Sequence, residues 1–228
     1  MRFEERVVII TGASQGLGVG YAREFLKEGA RVALVARRAE KLEQVAADLA
    51  AELAPELPGD DAAQRILPVA CDVSSEEQVQ AMVRRVRDAF GTVDVLINNA
   101  ALHISKQVVD TSKAEWDRQI GVNLTGTFLC TREVLPLMIE KRYGKIVNIS
   151  SSAAKHFFPG FGAYASSKGG IVSFTHTLSE EVKQYGINVN AVYLGMTNTD
   201  YTRQRIASDP AVTIDLNEML QIEEVSKV

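Results

Sequence analysis

Residues 6–18 read RVVIITGASQGLG, and the fold turns on the join between Thr11 and Gly12. Val7 to Thr11 are all β-branched and uncharged, as suits a strand covered on both faces. From Leu17 onward, LGVGYAREFLKEG takes up helical spacing. Between strand and helix stand Gly12, Gly16 and Gly18. Glycine lets a chain turn sharply and lets backbone approach a ligand, and a helix starting there offers its unpaired amides to an anion. The join is read as the first turn of a nucleotide-binding α/β sheet, against the alternative of a tight turn made for packing alone.

Outward from that join, short apolar runs alternate with amphipathic ones. RVALVAR is followed by AEKLEQVAADLAAEL, RILPVACDV by SSEEQVQAMVRRVRDAFG, and VDVLINNA by a helix over Lys113–Arg142. The strand GKIVNIS, a helix carrying Tyr164 and Lys168, and the strand INVNAVYL complete six strands. Regular alternation of this kind predicts an α/β fold, a doubly wound parallel sheet in three layers. In the helix after Cys71, Ser74 and Glu77 form a capping-box pattern, Val79, Met82, Val83, Val86 and Phe90 share a face, and Gly91 ends it. The segment AADLAAELAPELPGDDAA is the one biased stretch and is read as a surface excursion within a single domain of residues 1–228.

Composition excludes several classes of function. With 46% hydrophobic residues, 24% charged residues and a net charge of -4, the chain is an ordinary globule without the basic field that a polyanion requires. Nucleic acid is not an expected partner. No basic, apolar leader opens the chain and no run reaches membrane-spanning length, so neither a signal peptide nor a membrane is expected. Cys71 and Cys130 lie in apolar runs and are read as buried free thiols of a reducing compartment, the cytoplasm. His103, His156 and His176 lack metal-ligand spacing, and NISSSAA lacks the glycines of a hydrolase elbow, so no metal or hydrolase triad is expected. His103 and His156 follow the fourth and fifth strands and are candidates for touching a substrate. In KHFFPGFGAY, Phe157, Phe158 and Phe161 form either an apolar pocket wall or a contact with another subunit.

In a doubly wound sheet, ligands sit beyond the carboxyl ends of the strands. The second strand ends at Ala36, Arg37 and Arg38, with no carboxylate to take a ribose 2'-hydroxyl. A guanidinium there suits a 2'-phosphate, which favours NADP(H) over NAD(H), against the alternative of two solvated arginines opening a helix, and Gln15 adds no further positive charge. Asp72 follows the third strand, either as a partner for an adenine amino group or as the lead into the Ser74 cap. In AYASSKGG, Tyr164 and Lys168 are four apart and share one helix face. A phenol beside an ammonium is either chemistry or a half-buried ring beside a snorkelling lysine.

Taken together, TGASQGLG (11 to 18), CDV (71 to 73), NNA (98 to 100), Asn123 in VNLTG, Ser151 in NISSSA, and Tyr164 and Lys168 in YASSK closely resemble the short-chain dehydrogenase/reductase family, of the single-domain, 3-oxoacyl reductase-like type. The resemblance spans nearly the whole chain. It implies a Rossmann fold, with Gly12, Ser14, Gln15, Gly16, Leu17, Gly18, Arg37, Arg38, Asp72, Val73, Asn99 and Ala100 at the dinucleotide, along with Tyr164, Lys168, Thr197 and Thr199. It also implies that Tyr164 is the general acid or base, that Lys168 holds the nicotinamide ribose, that Ser151 fixes the substrate carbonyl, and that Asn123 serves a proton relay behind Lys168. The physics agrees, since a nearby ammonium lowers the pKa of a phenol that would otherwise hold its proton at neutral pH. For Asn123, the reading as a helix irregularity satisfying its own amide stands beside the relay and is compatible with it. Ser150 and Ser152 rival Ser151, and only family spacing selects the middle serine.

The implied activity is hydride transfer between NADP(H) and a small-molecule carbonyl or secondary alcohol, in a homodimer or homotetramer, with substrate loops after strands four to six. The other class in play is a dinucleotide-binding sensor or scaffold without chemistry. Extended epimerases and dehydratases are more distant, since they are longer and carry a separate substrate domain. Three features depart from the family pattern. Ala101 stands where glycine is usual, Leu194-Gly195 replaces a proline-glycine turn, and the family's last strand is missing after IEEVSKV. The last is read as an incomplete chain, in preference to an open edge at the sixth strand.

Overall fold

The computed structural model describes residues 1–55, 61–199, 202–204, 207 and 219–226. Val7–Thr11 form β1, buried along its whole length. Successive side chains of a strand point to opposite faces. Val7 and Ile9 accordingly enter one core, while Val8 and Ile10 enter the other. The same division in β2 (Arg31–Ala36) sends Ala33 and Val35 to the first core and Val32 and Leu34 to the second. Continuous apolar runs therefore mark strands packed on both sides.

Among the described residues, six strands form one sheet in the order β3-β2-β1-β4-β5-β6. All its pairings are parallel. β3 is Ile66–Ala70, β4 Val95–Asn98, β5 Gly144–Ser151 and β6 Ile187–Leu194. One face is covered by α1 (Leu17–Lys27) and α2 (Ala39–Leu53), through Ala22, Leu26, Leu42, Leu49 and Leu53. A short turn of helix, α3 (Asp61–Gln64), precedes β3. The other face is covered by α4 (Glu76–Phe90), α6 (Gly126–Glu140) and α7 (Gly162–Val182). This is the expected three-layer, doubly wound sheet. The order reverses between β1 and β4, and the crevice beyond their ends is where such folds take their ligands.

Local chemistry explains where the helices start. Ser75, not Ser74, caps α4, accepting from Gln78 N. The Asp72 carboxylate captures both the amide and the hydroxyl of Ser74, which moves the expected cap one residue along. Gly91 ends α4 in the left-handed conformation, as its position predicts. The helix expected over Lys113–Arg142 is α5 (Lys113–Ile120) running into α6 through a π turn at Gly121–Thr125. A capping box of Ser112 and Glu115 starts α5, a pattern the sequence carries and our reading missed. A final short helix, α8 (Ile222–Ser226), lies against α1. Residues 56–60 of the expected surface excursion fall outside the described residues.

Candidate active site

A cavity of about 490 Å³ lies at the ends of β1, β2 and β3. Gly12, Ser14, Gln15, Gly16 and Leu17 form its floor, with Arg37, Arg38, Asp72, Val73, Asn99 and Ala100 around it. Gly12 has φ 71°, and a Cβ there would sit 2.9 Å from Ala100 Cα, so backbone presses on backbone. Gly18 is not on the cavity wall. A Cβ on it would meet Gly12 O at 2.5 Å, so its absence lets α1 close against the loop. The Thr11 hydroxyl accepts from the amides of Asn99 and Ala100, each at 3.0 Å, and Asn99 Nδ2 donates to Thr11 O at 2.9 Å. The loops after β1 and β4 are thereby stitched together. α1 starts at Gly16 with no side-chain cap, which leaves its opening amides to an anion.

At the outer end of this cavity, Gln15 Oε1 accepts from Arg38 Nη2 at 3.0 Å and from Lys41 Nζ at 3.1 Å. Gln15 brings no charge itself, yet it gathers two cations beside Arg37. Lys41 was not among the expected residues; its place one turn into α2 from Arg38 is the signal that was available. Burial pushes the Asp72 carboxyl upward, but hydrogen bonds from Ser74 and the charges of Arg37 and Arg118 outweigh it and hold it below the usual range. A backbone cradle and an uncapped helix start fit the phosphates of a dinucleotide.

A second cavity of about 670 Å³ adjoins the first, and the two share Leu17, Asn99, Ala101, His103, Tyr164 and Thr199. Tyr164 and Lys168 stand on one face of α7, with Lys168 Nζ 5.7 Å from the Tyr164 ring centre. Lys168 is buried, and its Nζ donates to Ile149 O at 2.7 Å. Loss of water around the ammonium lowers its pKa from 10.5 to about 8. Ser151 lines the cavity at the end of β5, its Oγ accepting from Ala153 N at 3.2 Å. Ser150 is buried and gives its hydroxyl to Lys168 O at 3.0 Å, while Ser152 also reaches the cavity. Strand end and helix are thus held together by Ser150 and Lys168.

Asn123 is fully buried in the π turn. Its Oδ1 accepts from Leu102 N at 2.7 Å, and its Nδ2 donates to Leu102 O at 2.9 Å and to Ser167 Oγ at 3.0 Å. Ser167 Oγ in turn donates to Tyr164 O at 2.7 Å. Both amide hydrogens of Asn123 are therefore spent on joining the loop after β4 to the helix bearing Tyr164. Beneath it runs a buried ladder, in which Asn98 Nδ2 donates to Thr131 Oγ1 and Asn148 Oδ1, and Asn148 Nδ2 donates to Thr175 Oγ1. Asn98 and Asn148 are partners in register across β4 and β5.

Thr197 and Thr199 line the second cavity beyond β6, and Thr199 also reaches the first. The backbone holds them by a bridge between Thr197 and Leu220 and by Asn198 N donating to Leu220 O at 2.9 Å. His103 lines both cavities, whereas His156 and His176 are exposed. Phe158 and Phe161 line the second cavity, so this pair forms a pocket wall; Phe157 is exposed. Among the described residues no cluster of metal-binding side chains occurs, and no helix is long and apolar enough to cross a membrane. Cys71 and Cys130 are free and buried, and burial pushes the Cys71 thiol up to about 11.

A family model described as short chain dehydrogenase matches residues 6–210. Among curated relatives, the (2S)-[(R)-hydroxy(phenyl)methyl]succinyl-CoA dehydrogenase subunit BbsD of Thauera aromatica is 36% identical, over 87% of this chain and 76% of that protein. The 3-oxoacyl-[acyl-carrier-protein] reductase FabG of Thermotoga maritima is 35% identical, over 90% of this chain and 79% of that one. Among solved structures, an NAD+-bound xylitol dehydrogenase superposes with a TM-score of 0.88 at 28% identity, covering 100% of this chain and 91% of its own.

Proposed function

The chain belongs to the short-chain dehydrogenase family, and from that premise we propose that Tyr164 is the acid or base of an NADP(H)-preferring carbonyl reductase or alcohol dehydrogenase. The family's members are oxidoreductases of alcohol and carbonyl groups that use a nicotinamide dinucleotide. When bound, that cofactor supplies or takes up the hydride. The observation that carries the assignment of Tyr164 is its position on the wall shared by the two cavities, with a buried ammonium 5.7 Å from its ring.

In the reducing direction, Tyr164 Oη gives its proton to the oxygen that becomes negative, and in the oxidising direction it takes the proton back. The Lys168 ammonium favours the phenolate side of that exchange. One of its three N–H groups is held by Ile149 O, which leaves two for the ribose of the cofactor. Ser151 offers a hydroxyl to the substrate oxygen at the end of β5. Asn123 acts by position, fixing the Tyr164 helix against the loop after β4. The preference for NADP(H) rests on Arg38 and Lys41, both bonded to Gln15, and on Arg37 in the same cavity lining, since cationic side chains there would hold a ribose 2'-phosphate.

We read residues 1–228 as one oxidoreductase domain that works on a small molecule in the cytoplasm, as a homodimer or homotetramer. The test is oxidation of NADPH and NADH against a panel of carbonyl compounds, with Tyr164→Phe beside the wild type. Tyr164→Phe is expected to lose about a thousandfold in kcat while binding cofactor normally. Cofactor binding without turnover of any carbonyl would instead favour a sensor.

A further inference from the structure

Four rings stand in contact along one side of the second cavity. Phe158 and Phe161 are 5.3 Å apart between ring centres, Phe161 and His103 4.4 Å, and His103 and Tyr164 4.5 Å. Phe161 also meets Tyr164 edge-on at 6.1 Å. All four line the cavity. The rings sit tilted or edge-on to one another, an arrangement that leaves parts of their faces and edges for a further ring at ordinary stacking distance.

The wall is held firmly at the His103 end. The residue before His103 is bound at both its amide and its carbonyl by Asn123, and the amide of the residue after it donates to Gln119 Oε1 at 2.9 Å. Asn123 and Gln119 are both buried. Two buried amides from the α5 region thus pin the backbone on either side of the imidazole, and the ring is presented to Tyr164 from a rigid support. The remainder of the cavity is apolar or neutral, Leu194 and Met196 among its lining. Among the described residues that line it, Lys168 carries the single fixed charge, and the two N–H groups that Ile149 O leaves are those assigned to the cofactor ribose. Nothing there would grip a carboxylate or phosphate on the part of the substrate that enters.

We propose that the substrate carries a planar apolar ring, an aryl group, beside the reacting carbon, and that His103 and Phe161 are the specificity-determining residues that receive it. The proposal rests on Tyr164 being the acid or base, since the wall ends on that phenol. An aryl group stacked on it brings the adjoining carbonyl to the hydroxyl, whereas a flexible alkyl chain gains burial without that orientation.

The experiment compares acetophenone with a straight-chain methyl ketone of equal carbon count on the cofactor-loaded protein, by calorimetric titration and by steady-state kinetics. The straight chain exposes more apolar surface, so a cavity that selects by hydrophobic burial alone would prefer it. The ring wall predicts the opposite, with acetophenone about tenfold tighter and higher in kcat/KM by a similar factor. His103→Leu and Phe161→Leu are each expected to remove most of that preference, read as the ratio of the two ketones' affinities within one variant. His103→Phe, which keeps a ring, should retain it. Equal binding of the two ketones to the wild type, or a preference that survives both leucine substitutions, overturns the proposal. The titration needs no turnover, so a Tyr164→Phe variant with full activity would sink the acid–base reading and leave the aryl preference to be judged on its own.

Discussion

The two halves of the crevice are built by different means. Around Gly12 and Gly18 the shape comes from backbone, because side chains are missing where a Cβ would strike Ala100 or Gly12 itself. Around Tyr164 it comes from buried amides and hydroxyls, with Asn98, Asn123, Asn148, Ser167 and Thr175 joining strands, loop and helix. The first construction fails when an atom is added and the second when one is removed. Bare backbone suits the close approach of a phosphate, whereas side chains held at fixed angles suit the proton transfer proposed for Tyr164.

The most severe break in that contrast is Gly18→Ala. Its methyl would lie 2.5 Å from Gly12 O, so the loop must move, and dinucleotide affinity is expected to fall by more than about a hundredfold in a calorimetric titration. Asn148→Leu tests the other half. It removes one of two buried partners from the Asn98 amide, which keeps Thr131, and from the Thr175 hydroxyl, which keeps Ile171 O, at about 2–3 kcal/mol of stability in urea unfolding, while cofactor affinity stays near wild type. If Asn148→Leu weakened the cofactor as much as Gly18→Ala does, the two halves would be one unit.

Lys168→Met sharpens the comparison by separating stability from chemistry. The pKa of Lys168 in the folded chain is lowered from 10.5 to about 8, so burying its charge costs about 3 kcal/mol. That cost is present in full below about pH 8 and is relieved as pH rises toward 10.5, where the unfolded chain also loses the proton. Methionine removes the cost but leaves Ile149 O without its donor, so a net gain of about 1–2 kcal/mol is expected at about pH 7, shrinking by about pH 10, with activity abolished. Equal stability differences at both pH values would show that the lysine is not buried as a charge. The smallest effect belongs to Arg38→Ala, expected to weaken NADPH by about tenfold and leave NADH unchanged.

The backbone-built half was the more legible in the sequence. Its glycines, the arginines after β2 and the unbroken β-branched strand are local features, each readable within a few residues of the chain. Order along the chain identified Tyr164, Lys168 and Ser151 as candidates, but not the contacts that hold them. Asn98 and Asn148 are fifty residues apart, and Asn123 reaches both Leu102 and Ser167, so their joint role exists only once the sheet is assembled. Lys41 escaped notice for a milder version of the same reason, since only the folded Gln15 brings it beside Arg38. The shift of the α4 cap from Ser74 to Ser75 was a local competition, in which a carboxylate two residues upstream outbid the helix for the serine.

The π turn at Gly121–Thr125 has a consequence for how the gene can change. A turn of this kind holds one residue more than an α-helical turn, so removing a single codon within it would restore an uninterrupted helix from α5 to α6. Each residue of an α-helix advances the spiral by about 100°. The deletion would swing Asn123 and Gln119 away from the loop they clasp while leaving α6 seated on the sheet. A length change that most surface loops absorb would here disengage the helix bearing Tyr164 from the loop after β4.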